Sequence, residues 1–355
     1  MAALTGSFVI SLDFELHWGV CDVLTVDAYR ENLLGARRVI PRLLALFDEF
    51  GIHATWATVG FLFFGRREDL LAALPPTRPT YSDPGMSSYN HFDSVGHDEE
   101  ADPFHFALSL VEQIRRAPHQ EVATHTFSHF YCMEAGQTPD EFRADLAACV
   151  SAARAIGLEL SSIVFPRNQF TCAHLDVCAD LGVVVYRGTE RAWPYRPAAK
   201  HRQNRLRRAI RLADSYVNLL GYHDTTYGAT LERGMVNIPA SRFLRPYSRR
   251  LRALEPLKER RVTNAMSHAA RRGTIYHLWW HPHNFGRDSE ENLASLRRIL
   301  GHFAHLARQH SMRSLTMAEL AAEVRASQRR APNSHLPLVR SNSYCVLSLI
   351  SAARG

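Results

Sequence analysis

Short apolar runs that end in polar residues alternate along this chain with segments of helical spacing. That alternation limits the possible folds more than any other feature. Phe8–Leu12 leads into Asp13 and Glu15, Glu121–Thr124 into His125 and His129, and Ser162–Phe165 into Pro166, Arg167 and Asn168. Val183–Tyr186 is followed by Glu190, and Ile275–Trp280 by His281 and His283. Ala54–Phe64 reads as another strand and its exit. Between these runs, residues 29–50 carry Leu33, Leu34, Val39, Ile40, Leu43, Leu44, Leu46 and Phe47 at helical intervals, with Gly51 placed to stop the helix. Residues 139–156 read as a helix capped by Thr138, with Pro139 in its first position. Further helices are expected at 104–116, 173–181, 290–309 and from Met317, and a last strand at Met312–Thr316. Such alternation specifies a parallel α/β sheet or barrel. A chain of 355 residues suits one barrel of ~250 residues enlarged by insertions.

Two stretches break the rhythm. Leu74–Asp102 is rich in Pro, Ser, Asp and His and reads as a long surface excursion: a lid, a binding loop or a disordered segment. Residues 191–262 carry one basic segment (Arg202, Arg205, Arg207, Arg208, Arg211) and a second (Arg242, Arg245, Arg249, Arg250, Arg252), and read as an insertion. The expected organisation is one domain over 1–326 containing that insertion, then a tail at 327–355 that is polar before a brief apolar run at Tyr344–Ile350.

Composition excludes some classes of function. A formal charge of +7 suits an acidic partner such as a phosphate, a nucleotide sugar or an anionic lipid, or simply a solvated surface. No zinc-finger, basic-zipper or RNA-binding motif accompanies it, so nucleic acid is not expected. The six cysteines form no CxxC pair and read as buried free thiols of a reducing compartment. Asp13 and Glu15 interrupt the only early apolar run, which argues against a signal peptide, and no run reaches the ~18 residues of a membrane span. A cytoplasmic protein is the expectation. Oligomeric state is left open.

If the strand ends share one rim, as in parallel barrels, then Asp13, Glu15, His125, His129, Arg167, Glu190 and His281 gather there. Asp13 and Glu15 lie two apart on a strand and face the same side. Burying two carboxylates together costs several kcal/mol unless a cation or donor offsets them. His125 and His129, four residues apart on a helix or in a turn, can point both imidazoles at one metal ion. Alone, that spacing is unspecific.

Ser11-Leu-Asp13-Phe-Glu15, His125-Thr-Phe-Ser-His129, Phe165-Pro-Arg167-Asn and Tyr276-His-Leu-Trp-Trp-His281-Pro-His283 together resemble the ordered motifs of the polysaccharide deacetylase (NodB-homology) family. The resemblance covers roughly 8–190 and 275–320. It implies a distorted (β/α) barrel of about seven parallel strands, with the basic insertion before the last of them. It further implies removal of N-acetyl groups from amino sugars. His125 and His129 match the metal-binding histidines, Glu15 falls near the metal-binding aspartate, and Asp13 matches the catalytic base. The family's adjacent acids are here separated by Phe14, so which acid binds metal and which takes the proton stays open. Arg167 matches the arginine that holds the catalytic aspartate, although the order Phe-Pro-Arg departs from the usual Phe-Arg-Pro and leaves contact with substrate as the alternative. His281 matches the general acid, with His283 able to replace it, and Glu190 is a candidate to tune it. Two imidazoles and a carboxylate suit a divalent metal, zinc by default. The implied substrate is an amino sugar or its precursor in surface-polysaccharide synthesis; the arginine-rich insertion would suit a diphosphate, as in a nucleotide- or lipid-linked sugar, or simply a solvated helix face. The alternatives are deformylation or cyclic-amide hydrolysis on the same fold, and an inactive sugar- or phosphate-binding protein.

Overall fold

Strand β1 (Ser7–Phe14) is buried along its whole length and forms the axis of the sheet. Its two faces are used differently, as period-two alternation requires. Phe8, Ile10, Leu12 and Phe14 pack into one cluster with Leu33, Val39, Ile40, Leu43 and Phe47. Val9 faces a second cluster with Ala57, Val164, Val185, Val236 and Ile275. Ser11 and Asp13 share the face of Val9, so the barrel interior turns polar toward the carboxyl end of β1. The computed structural model describes residues 5–199, 204–232 and 234–330. Arg202, Cys345 and the run at Tyr344–Ile350 lie outside them.

On one side of β1 follow β2 (Ala54–Thr58), β3 (Gln120–Thr124), β4 (Ser162–Ile163) and β5 (Val185–Tyr186), each parallel to the last. Next come the short antiparallel pair β6 (Leu231–Glu232) and β7 (Met235–Asn237), of which β7 runs parallel to β5. On the other side stand β8 (Arg242–Phe243) and β9 (Ile275–Trp280), and β10 (Arg313–Ser314) pairs with the start of β1. Helices α1 (Val26–Phe50), α2 (Arg67–Ala72), α3 (Leu108–Arg116), α4 (Pro139–Ala155) and α5 (Cys172–Asp180) fill the connections up to β5. After them come α6 (Arg205–Asp214), α7 (Glu255–Arg272), α8 (Pro282–Gly286), α9 (Ser289–His310) and α10 (Met317–Arg330). This is the expected parallel α/β barrel, curled and irregular.

Residues 191–262 are not wholly an insertion. Ile238 N–H donates to Tyr186 O and Ala240 N–H to Gly188 O, both at 2.9 Å, whereas Ser241 N–H donates to His277 O at 2.8 Å. One extended segment therefore pairs first with the β5 edge and then with the β9 edge, joining the two ends of the curled sheet. Strands of two or three residues are too short for alternation to reveal them.

The helix signals hold in physical terms. Thr138 and Glu141 exchange side-chain and backbone hydrogen bonds at the start of α4, a capping box. Gly51 ends α1 in the left-handed conformation that glycine adopts without penalty. Gly35 of α1 lies against the backbone of Gly286, where a Cβ would collide, so this pair of glycines lets α8 seat directly on α1.

The 74–102 stretch is no detached lid. Tyr81, Met86, Ser88, Tyr89, Phe92 and Val95 are buried. The Ser88 hydroxyl donates to Ser128 O at 2.8 Å, and Tyr131 N–H donates to the Tyr81 hydroxyl at 2.8 Å. The stretch is a packed wall against the histidine loop. Cys21, Cys132, Cys149 and Cys178 are buried free thiols as expected, whereas Cys172 is disulfide-bonded. Among the described residues, no helix is long and apolar enough to cross a membrane.

Candidate active site

β1 delivers Asp13 and Glu15 to its carboxyl end, both almost fully buried. The chain then turns tightly through Leu16–Gly19. A Cβ at Gly19 would collide with the Glu15 carboxyl group, so the glycine leaves the space that this carboxylate occupies.

His125 and His129 follow β3 in a turn, not a helix. Thr126 (φ 64°) and His129 (φ 60°) both adopt left-handed backbone, a costly conformation for a β-branched residue. The surroundings hold it in place. Thr126 N–H donates to Thr124 Oγ1 at 2.9 Å, and Phe130 N–H to Thr126 Oγ1 at 2.7 Å. Asp145 of α4 accepts the N–H groups of Phe127 (2.8 Å) and Ser128 (3.1 Å) and the Ser128 hydroxyl. Burial outweighs these bonds and pushes the Asp145 carboxyl up to about 6.

The far nitrogens of the two imidazoles are spoken for. His125 Nδ1 donates to Val164 O at 2.8 Å. The Tyr131 hydroxyl donates to Asp22 at 3.1 Å, so its lone pair accepts from His129 Nδ1 at 3.2 Å. With Nδ1 engaged in each ring, Nε2 is the atom turned toward Glu15 Oε2, at 3.2 Å from His125 and 3.0 Å from His129. Burial, only partly offset by Glu15, lowers the pKa of His129 and favours its neutral form. Three buried side chains that face one point in this way could hold a metal ion. Their ligand atoms lie within 4.8 Å of one another, and Glu15, His125 and His129 form the only such group among the described residues. This donor set fits one divalent ion.

Asp13 is held by a different arginine from the one expected. Arg187, immediately after β5, grips it bidentately at 2.6 and 2.8 Å. The same guanidinium donates to Ser11 Oγ (2.9 Å) and Asn168 Oδ1 (3.1 Å) and lies over the Trp279 ring at 4.1 Å. Burial raises the Asp13 carboxyl, but Arg187, His281 and His125 more than reverse this, and its pKa is lowered. Arg167, by contrast, binds Asp22 at 2.5 Å and Glu134 at 3.4 Å and lies over the Tyr131 ring. Its reach is toward the Tyr131–Asp22 pair behind His129, not toward Asp13. The tight backbone at Arg167 (φ 55°) and Asn168 (φ 53°) turns the arginine away while presenting Asn168 to Arg187. The signal for Arg187 was its place after an apolar run, the same position that singles out the other rim residues.

His281 begins the turn after β9, with Nε2 at 3.7 Å from Asp13 Oδ2 and 3.5 Å from Glu15 Oε1. Its side chain keeps 22% exposure, where a substrate can reach it. His283 stacks behind it at 5.0 Å and is buried, and burial pushes its pKa down to about 3. A histidine that stays neutral in this way has no proton to give near pH 7. Glu190 is buried with Oε1 unbonded; burial raises its pKa against the pull of Arg242 and Arg187. It forms no ion pair with His281 among the described residues. His277 also faces the interior and accepts the Ser11 hydroxyl at 2.9 Å, extending the Arg187 network.

Two cavities border this region. One of about 470 Å³ is shared by His281, Trp279, Glu190 and Arg167 with residues of α6 and β8. The other, about 640 Å³, touches Asp22 but is flanked by His17 and His105. Their nitrogens are already engaged, with each other at 2.8 Å, with Asp102 at 2.8 Å and with Leu24 O at 2.9 Å. Of the two, the first is the one lined by His281.

The architecture defines a parallel α/β barrel whose strand ends gather two carboxylates, three accessible or ligand-like imidazoles and a clamped guanidinium. Its fold is that of the polysaccharide deacetylases. A Mycobacterium smegmatis protein assigned as a polysaccharide deacetylase superposes with a TM-score of 0.58 at 15% identity, covering 92% of this chain and 93% of that one. A Pseudomonas aeruginosa PAO1 protein assigned likewise gives 0.51 at 12% identity, covering 92% and 91%. The PuuE allantoinase gives 0.51 at 12% identity, covering 90% of each chain. No protein-family model and no curated protein matches the sequence.

Proposed function

We propose that the chain hydrolyses the N-acetyl amide of an amino sugar, using a divalent ion, zinc by default, held by Glu15, His125 and His129. The observation that carries this reading is the placement of Asp13 and His281 beside the three-donor cluster, each within 4 Å of the other. A bound ion supplies Lewis acidity to a carbonyl oxygen and lowers the pKa of water. The side chains divide the remaining work. Asp13, kept ionised by Arg187, accepts the proton of the attacking water through its Oδ2 edge, which faces His281. The amine leaves poorly as an anion, so His281 protonates its nitrogen. His283 stays neutral behind it and fixes the ring by stacking. Tyr131 and Val164 O orient the two ligand imidazoles, as outer partners of metal-binding histidines do.

We assign Asp13 as base and Glu15 as ligand: of the two acids, Glu15 is the one that touches both imidazoles and Asp13 the one gripped by Arg187 among the described residues. Arg187 takes the positioning role first read at Arg167. The test is acetate release from N-acetylated amino sugars by metal-loaded protein. Activity abolished by Asp13→Asn with metal content unchanged supports the reading; equal release by the variant opposes it. A second reading, cyclic-amide hydrolysis, has the allantoinase of the same fold in its favour. It predicts turnover of a cyclic ureide in the same assay and none of the acetylated sugar.

A further inference from the structure

The 470 Å³ cavity beside His281 is lined by six arginines: Arg167, Arg196, Arg208, Arg211, Arg242 and Arg245. Arg208 and Arg211, with Leu212 and Ser215, occupy positions i, i+3, i+4 and i+7 of α6 and its C-cap, so a single helix face looks into the cavity. That face is fixed from behind. Asp214 at the end of α6 takes Arg242 Nη1 at 2.8 Å and Arg261 Nη2 at 3.5 Å.

Arg167 is already balanced by Asp22 and Glu134, and Arg242 by Asp214. Arg196, Arg208 and Arg245 have no carboxylate partner among the described residues; Arg245 donates only to Ser215 Oγ at 2.8 Å. Arg242 is buried, yet its Nε and Nη2 have no hydrogen-bond partner there. Unmet donors on a buried guanidinium are costly. Burial and the neighbouring charges of Arg207 and Arg245 also hold Arg211 below its ordinary value. The one acid in the lining, Glu190, is itself pushed toward its neutral form by burial.

We propose that this cavity binds the phosphoryl groups of a substrate whose acetylated sugar is carried on a diphosphate. The inference rests on the amide-hydrolase reading for the sugar end, and on the cavity alone for the anion. A single carboxylate, as on a uronic acid, is satisfied by one or two guanidinium forks, whereas a diphosphate presents charge and oxygens for several. His281 and Trp279 line the same cavity, so an anion there leaves the linked sugar at the catalytic rim.

The test begins with calorimetric titration of metal-loaded protein by inorganic pyrophosphate. Arg208 is exposed and its side chain makes no hydrogen bond among the described residues, so Arg208→Glu reads charge without threatening the fold. Arg245→Ala is the second variant. Binding by the wild type that weakens at least tenfold in both variants, with glucuronate failing to compete, supports the proposal. No binding, or equal binding by all three proteins (as for pyrophosphate on the metal alone), overturns it. Acetate release is then compared for free N-acetylglucosamine and for the same sugar on a nucleoside diphosphate and on a polyprenyl diphosphate. The carrier with the higher kcat/KM identifies the source of the phosphates. Arginine-dependent pyrophosphate binding with no acetate from any sugar sinks the hydrolase reading and leaves the anion site. Release that is indifferent to the diphosphate sinks the anion site and leaves the hydrolase.

Discussion

Replacing Arg187 by methionine isolates the interaction that keeps Asp13 ionised. The pair is buried on both sides, with side-chain exposures of 1% and 4%, so solvent screens it little. Methionine keeps the length and apolar stem but removes both bonds to Asp13, the bond to Ser11 Oγ and the bond to Asn168. Removing one partner of a buried pair leaves an uncompensated charge and costs about 3–5 kcal/mol. The pH dependence has a definite sign. In the native protein the Asp13 pKa is lowered, so its contribution is present above the ordinary carboxylate value of 3.8 and is lost as pH falls through the folded value. Without Arg187 the burial effect prevails, the folded pKa rises, and the variant is penalised most where Asp13 would be charged. Urea denaturation of metal-free protein at pH 7 and near pH 4 reads this directly. The deficit of Arg187→Met should be several kcal/mol at pH 7 and should shrink toward pH 4. The acid limb of kcat/KM should also move to higher pH. A deficit under about 1 kcal/mol, or one equal at both pH values, would refute the reasoning.

Other substitutions separate holding the metal from holding the fold. Gly19→Ala displaces the Glu15 side chain from Cγ outward and leaves the backbone alone, so stability should change by less than ~1 kcal/mol while metal affinity, measured by competition with a chelating dye, falls at least tenfold. Tyr131→Phe removes the acceptor of His129 Nδ1 and should weaken metal binding by about 10–100-fold in the same assay. Asp145→Asn leaves one oxygen where two accepted three donors; chemical denaturation should show a loss of about 1–3 kcal/mol. Gly35→Ala forces α8 off the backbone of α1 and should cost about 1–3 kcal/mol in thermal or urea unfolding.

Much of this site can be read from one dimension because a parallel barrel sends every strand end to the same rim. Asp13, Glu15, His125, His129 and His281 all follow apolar runs, and period-two alternation placed the two acids on one face. Arg187 escaped because a lone arginine after a two-residue strand looks like any surface cation, whereas Arg167 sat within a motif-like Phe-Pro-Arg. Only the left-handed turn at 167–168 shows which of the two faces Asp13. Strands β7 and β8 are too short for a pattern to be visible, so in sequence the sheet-closing segment merges with an insertion. In the 74–102 wall the buried residues are spaced irregularly, matching neither helix nor strand, and the proline-rich composition around them dominates the sequence signal. The arginines of α6 were visible as a basic run, but only the helix phase shows that Arg208 and Arg211 face His281 across a common cavity.

The central claim is that one cation binds Glu15, His125 and His129 while Asp13 remains on Arg187. Crystals of the protein soaked in zinc, with anomalous data collected at the metal edge, test it most directly. The expected result is a single strong peak at about 2.0–2.2 Å from one Glu15 oxygen and from Nε2 of both histidines, with the Asp13–Arg187 bonds intact. A peak ligated by Asp13 in place of Glu15, or no peak within reach of the two histidines, would contradict it.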